Sequence, residues 1–189
     1  MFYILNLRKL LKVAIPLFVI ALLLYAGISI FNLRFPLKYF DIIERYSQIY
    51  GVDPVIISSI ISVESRFNSN AVSPVGASGL MQIMEPTAVW AAQEIGIENF
   101  VYSDMIFDPE ININIGTWYI NRLINTYGEL SVALAAYNAG SGNVTRWLGD
   151  PEFSEDGVTL SYIPFGETRR YVERVNRSMK IYSFLIRWK

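Results

Sequence analysis

The sequence predicts an all-α domain preceded by one N-terminal transmembrane helix. Three observations carry this expectation. Residues 13–33 form a run of 21 without a single charge. Beyond it, Asp-Pro starts and glycine stops punctuate the chain at helix-length intervals. Strand-like alternation is nearly absent, Val158 to Ile163 being the best short candidate.

The first element is the uncharged run. As a helix, 21 residues reach about 31 Å, close to the roughly 30 Å hydrocarbon core of a bilayer. Arg8, Lys9 and Lys12 precede it, and Arg34 and Lys38 follow. A basic start resembles a signal peptide, but the apolar part of such a peptide spans only ~7–15 residues, and Leu24-Tyr25-Ala26 is a poor small-x-small cleavage site. The run therefore reads as an uncleaved anchor in preference to a cleaved signal or a buried core helix. Three bases before it against two after favour an N-terminus inside the cell. The expected division is a short cytoplasmic N-terminus at 1–12, a signal-anchor helix at 13–33 and an extracytoplasmic domain at 36–189.

The outer part reads as helices at about 37–50, 54–66, 86–95, 109–127, 130–138, 141–148 and 167–187. Asp53-Pro54 and Asp108-Pro109 each supply a cap followed by proline at the first helical position. Pro86-Thr87 opens another helix, and Gly51, Gly96, Gly128 and Gly140 fall where C-caps are expected. Residues 149–162 carry Gly, Pro and the acids Asp150, Glu152, Glu155 and Asp156, a surface-loop composition.

Composition then narrows the chemistry. The 189 residues include no histidine and no cysteine. Ser-His-Asp triads, Cys-His pairs and Cys/His zinc sites are thereby excluded, so acid–base work falls to Glu, Asp, Lys or Tyr. No metal site and no cofactor is expected. Residues 36–189 hold 12 basic and 17 acidic side chains, a net −5, which argues against a nucleic-acid partner. Within them, 166–189 is locally +5 and 36–165 is −10. A basic last helix packed across an acidic body and a surface for a wall polymer are both compatible with that split.

The most informative helix is Pro54-Val-Ile-Ile-Ser-Ser-Ile-Ile-Ser-Val-Glu-Ser-Arg66. At about 100° per residue from Ile57, Ile60 falls near 300°, Ile61 near 40° and Glu64 near 340°. The serines and Arg66 gather between about 80° and 200°, as a polar face. Glu64 thus lies within the isoleucine stripe, where patterning does not put a carboxylate. Burial would raise its proton affinity and hold the proton that a general acid needs near neutrality. The alternative is that Glu64, close to the helix end, bends out to solvent.

Three further stretches carry potential binding groups. Ser73-Pro-Val-Gly-Ala-Ser-Gly-Leu-Met-Gln-Ile-Met84 is a glycine-bearing loop with neutral donors and acceptors at Ser73, Ser78 and Gln82. No Lys or Arg lies between Arg66 and Arg122, so a phosphate loop is not expected. Ala135-Ala-Tyr-Asn-Ala-Gly140 sets Tyr137 and Asn138 at a helix end, and Ile163-Pro-Phe-Gly-Glu-Thr-Arg-Arg-Tyr171 sets Glu167 in a first turn, where an anion is favoured.

Together, and in this order, the stretches around Glu64-Ser65, 73–84, 136–140 and 163–171 resemble the lytic transglycosylase family, the soluble-type (SLT) domain. The resemblance covers about residues 40–185. It implies a goose-lysozyme-like helical fold and cleavage of the β-1,4 bond between N-acetylmuramic acid and N-acetylglucosamine in peptidoglycan, with glycan strands as the partner. It implies Glu64 as the catalytic residue and Ser73, Gln82, Met84, Tyr137, Asn138, Glu167 and Tyr171 as substrate-binding positions. Within that set, Tyr137 matches the tyrosine that contacts the region of the catalytic carboxyl. Met84-Glu85-Pro86-Thr87 departs from the usual Met-Pro-x-Thr, but the Met-to-Thr spacing is kept.

The residues agree with a one-carboxylate mechanism. Glycosidases commonly use two carboxyls, ~5–5.5 or ~6.5–9.5 Å apart. After Glu64 the next acid is Glu85, 21 positions on. A single acid suits a substrate-assisted route that ends in a 1,6-anhydro ring, unless a distant acid such as Glu167 folds back beside Glu64. A water-using, lysozyme-type hydrolase and a non-catalytic glycan-binding scaffold are the rival readings.

Overall fold

The computed structural model describes residues 7–187, with side chains from 11 onward. Residues 1–6 of the expected cytoplasmic N-terminus and residues 188–189 of the expected outer domain lie outside the described residues. The chain divides into two compact units, Met1–Pro36 and Leu37–Lys189.

In the first unit, α1 (Leu7–Arg34) is one unbroken helix that includes Pro16. Its stretch Leu11–Arg34, 24 residues, is long and apolar enough to cross a membrane. Leu17, Phe18 and Leu23 are exposed along it.

The second unit contains α2 (Phe40–Tyr50), α3 (Pro54–Glu64), α4 (Glu85–Glu94), α5 (Tyr102–Met105), α6 (Pro109–Tyr127), α7 (Leu130–Ala139), α8 (Ser141–Leu148) and α9 (Gly166–Arg187). The expected starts are chemically visible. Asp53 accepts from the Val55 amide at 2.8 Å, and Asp108 from the Glu110 and Ile111 amides at 2.8 and 3.1 Å. Each cap satisfies backbone donors that the first helical turn leaves open. The one-turn helix α5 carries no periodic signal in the sequence.

α3 is the central helix, packed chiefly on α9 and also on α2. Ile57, Ile60 and Ile61 are fully buried. The serines are buried too: Ser58 and Ser59 completely, Ser62 and Ser65 almost so. This corrects the expected polar face. Residues 57–62 are all buried, so this stretch shows no wet face, and small hydroxyl side chains let neighbouring helices approach closely. Ser65 returns its hydroxyl to the Ile61 carbonyl at 3.1 Å. α3 also stops at Glu64, two residues before the expected end. Arg66 and Phe67 take left-handed backbone, with φ of 53° and 62°, and the turn sends the Phe67 ring into the core.

The strand candidate Val158–Ile163 is loop, and the described residues contain no strand, only isolated bridges Val72–Ser78 and Ser78–Ile83. Asp156 captures the amides of Val158 and Thr159 at 2.8 and 2.7 Å and the Thr159 hydroxyl at 2.8 Å. Backbone donors spent on a local carboxylate are not free for a ladder. α9 docks through Thr168, Tyr171, Val172, Val175, Ser178 and Tyr182. Among the described residues its bases make one ion pair, Arg177–Glu173 within the helix.

Candidate active site

Glu64 is the last residue of α3, followed directly by the left-handed turn. That position lets it be half-buried while its carboxyl is enclosed by protein. Burial pushes the carboxyl up from 4.5 to about 7. Tyr171 and the Arg174 guanidinium pull it down, and the Glu167 carboxylate pushes it up slightly. Desolvation therefore wins over the nearby charges. The acid in the isoleucine stripe does not escape to open solvent.

α9 presents Glu167, Tyr171 and Arg174 to this carboxyl, a spacing that keeps them on one helix face. The Tyr171 ring is buried, and its hydroxyl has no partner within full hydrogen-bond geometry. It nonetheless lies near enough to Glu64 to act as a donor toward it. Burial, then the Glu64 charge, hold the Tyr171 hydroxyl well above the usual tyrosine value, so it stays protonated and able to donate. Glu167 and Arg174 are exposed.

Tyr137, on α7, reaches the same region differently. Its hydroxyl donates to the Met81 carbonyl at 2.8 Å, while burial and the Glu64 charge raise its value well above 10. Both tyrosines feel the Glu64 charge; Tyr171 also faces the carboxyl as a donor, while Tyr137 ties the glycine loop to α7. Asn138 is half-buried and its side chain makes no hydrogen bond among the described residues.

The loop is braced from within. Ser73 Oγ accepts from the Ala77 amide at 3.0 Å. Gln82, with φ of 49°, spends both donors of its amide on the carbonyls of Ala71 and Gly79, at 3.0 and 2.9 Å. Met84 is exposed at the start of α4. Ser73, Gln82 and Met84 therefore share the loop, but no hydrogen bond joins them to Glu64. Of the expected residues, Glu64, Tyr137, Tyr171 and Glu167 are the four brought together.

Two residues that the sequence reading did not single out also build the site. Asn112 of α6 is fully buried. It accepts from the Met81 amide at 2.8 Å and donates to the carbonyls of Ser78 and Ile106 at 3.2 and 2.9 Å. One side chain thereby pins the loop to the helix bundle. Gly79 has φ of 80°, and a Cβ there would strike the Asn112 amide and lie 2.7 Å from the Ile106 oxygen. Arg174 is the second, the cation nearest in effect to Glu64. Among the described residues, no cluster of three His, Cys, Asp or Glu side chains that could hold a metal is found.

Residues 41–158 match the family model described as the transglycosylase SLT domain. The chain belongs to this family. The match includes Glu64, the loop and Tyr137, while Glu167 and Tyr171 lie beyond it. This SLT domain is similar to the soluble lytic murein transglycosylase of Escherichia coli K12, 42% identical over 144 residues, which cover 75% of the chain and 22% of that protein. It is 34% identical over 173 residues to the membrane-bound lytic murein transglycosylase C of Edwardsiella ictaluri, covering 77% of the chain and 46% of the relative. Among solved structures, it is similar to an inactive mutant of lytic transglycosylase Slt from Pseudomonas aeruginosa and to the 70 kDa soluble lytic transglycosylase of Escherichia coli. Both give a TM-score of 0.72 over 82% of the chain and 25% of the other protein, at 32% and 36% identity. The chain thus spans about a quarter or less of the soluble relatives. The expected all-α, lysozyme-like SLT fold is the fold found.

Proposed function

We propose that the chain is a peptidoglycan lytic transglycosylase, held at the membrane by residues 13–33, with residues 36–189 as the catalytic domain on the extracytoplasmic face. The observation that carries this reading is the enclosed Glu64 carboxyl, pushed up to about 7 beside a protonated tyrosine and at the edge of a rigid, neutral loop.

A carboxyl with that proton affinity is partly protonated near neutrality and can act in both directions. As general acid, Glu64 gives its proton to the glycosidic oxygen while the bond to the muramic-acid anomeric carbon breaks. The substrate's acetamide oxygen supports that carbon from the opposite face. Glu64, now a carboxylate, takes the proton of the sugar's C6 hydroxyl, whose oxygen closes the 1,6-anhydro ring. The proton is returned and no water is consumed. Tyr171 steadies the carboxylate as it forms. Ser73, Gln82, Met84, Tyr137, Asn138 and Glu167 form the walls that hold the glycan.

One observation favours a second reading. Glu167 is exposed and close enough to push on Glu64, so a second carboxylate is available to activate a water in a lysozyme-type hydrolysis. Product mass separates the two. Full-length chain in detergent, given purified sacculi, is expected to release muropeptides one water lighter than hydrolysis products and without reducing ends. Reducing ends alone would overturn the anhydro route. The orientation is tested with Ser103→Cys, an exposed position in a chain without cysteine. Labelling of intact spheroplasts by a membrane-impermeant maleimide is expected; labelling only after lysis would reverse the topology.

A further inference from the structure

A ladder of aromatic rings leads away from Tyr137 across α6 to the outer face of α4. Tyr137 and Tyr119 have ring centres 5.4 Å apart, and Tyr119 and Trp90 6.3 Å apart. Trp90 in turn meets Trp118 edge to face at 4.9 Å. The Trp90 ring centre is therefore at most 11.7 Å from that of Tyr137. The inner end of the ladder touches the site, because Tyr137 bonds to Met81 and senses the Glu64 charge. The outer end is open: Trp90 is 36% exposed and Trp118 is half-buried.

Arg122 completes the outer end. Its guanidinium carbon stands 5.2 Å from the Trp90 ring centre and 5.9 Å from that of Trp118. It has no ion-pair partner among the described residues. The sequence offers no other base from 67 to 121. A core does not need a partly exposed tryptophan pair with a cation laid over it, and an open aromatic surface of this kind is a recognition feature. The rigid rings offer an apolar face to a ligand, and the guanidinium offers hydrogen-bond donors at the same place. That combination fits a pyranose, which has an apolar ring face and a rim of hydroxyl and acetamide acceptors.

We propose that Trp90, Trp118 and Arg122 form a distal saccharide platform that grips the glycan strand beyond the sugars flanking the cut bond. The platform rests on the reading of the site as a glycan-cleaving one and adds strand length as a determinant of its substrate. Continuity of the ladder with Tyr137 selects the same polymer as the occupant. A protein partner or a second copy of the chain are the competing occupants.

The test uses full-length chain in detergent and peptide-free glycan strands of two lengths, a tetrasaccharide and strands of ten or more sugars. Trp90→Ala is expected to lower the long-to-short ratio of kcat/KM by about tenfold, through KM, the scale of truncating one aromatic anchor. Trp90→Phe, which keeps a ring, is expected to recover most of that ratio. Equal losses on both lengths, or no loss, would overturn the platform. A second arm removes catalysis. In a Glu64→Gln background, long strands are expected to perturb tryptophan fluorescence, with weaker binding after Trp90→Ala or Arg122→Gln. Absence of that binding overturns the platform even if the unmutated chain cleaves normally. Normal binding without cleavage by the unmutated chain would instead sink the catalytic reading and leave the platform standing. Self-association abolished by Trp90→Ala would assign the surface to a second copy and overturn the proposal.

Discussion

Glu64→Gln is expected to abolish turnover and, at alkaline pH, to stabilise the fold. The carboxyl rises from 4.5 to about 7 on folding. At about 1.4 kcal/mol per tenfold change in proton affinity, that amounts to roughly 3 kcal/mol. The sign follows from proton counting. Between pH 4.5 and 7 the folded state holds a proton that the unfolded state has released, so stability falls as pH rises through this window. Below 4.5 both states are protonated and the cost vanishes; above 7 it is present in full. Glutamine removes the charge at every pH but puts an amide in the same place, at a cost of about 1 kcal/mol. The net gain at pH 8 is about 1–2 kcal/mol, or roughly 2–8 °C in Tm for a domain of this size. At pH 4.5 the variant is expected to show no gain. Thermal unfolding of the full chain in detergent, followed by circular dichroism at both pH values, measures the two differences. An equal Tm difference at pH 8 and pH 4.5 would refute the buried-acid argument, whatever the activity did.

The same electrostatics govern the rate. Tyr171→Phe removes the strongest influence that lowers the Glu64 value, and Arg174→Gln removes the next. Each is expected to move the falling limb of the pH–rate profile upward, and a downward move would contradict the assignment. Asn112→Ala leaves one amide and two carbonyls without their buried partner. At about 1–3 kcal/mol for each group, a loss of about 3 kcal/mol or more is expected in denaturant titration, with early proteolysis within 71–83. Gly79→Ala is expected to weaken the same clamp, since its Cβ would meet the Asn112 amide and the residue would be held at positive φ. Its readout is glycan binding with the global fold retained.

Helix starts were the most legible part of the fold, because their chemistry is local. Asp53 and Asp108 satisfy backbone amides two and three residues on, and a sequence displays that relation directly. The end of α3 was not legible. It depends on Phe67 turning into a core built from α9, more than a hundred residues away. The serines of α3 misled for a related reason. Periodicity reports which side of a helix is more polar, and the serine side of α3 is as buried as the isoleucine side. Val158–Ile163 failed because a single upstream carboxylate, Asp156, takes up the backbone amides at its start.

Asn112 breaks an apolar helix face in the same way as Glu64. Around α6, Asn112 falls between Ile115 and Leu123, in the middle of the buried face. A polar side chain there is costly unless it is fully bonded. The structure supplies three bonds, all to backbone groups at or near the loop. The two misplaced polar residues mark the two halves of one device. Glu64 is desolvated, so its proton affinity rises; Asn112 has its oxygen and both amide donors bonded, so it holds the loop to α6. Arg174 carries no such mark, because an exposed arginine on an exposed helix face is ordinary. Its role depends on the distance between α9 and the end of α3, and only the folded chain sets that distance. Polar residues that break an apolar face are therefore the sequence-level signal of this site. Residues that tune it from the surface become visible only when the helices that carry them have packed.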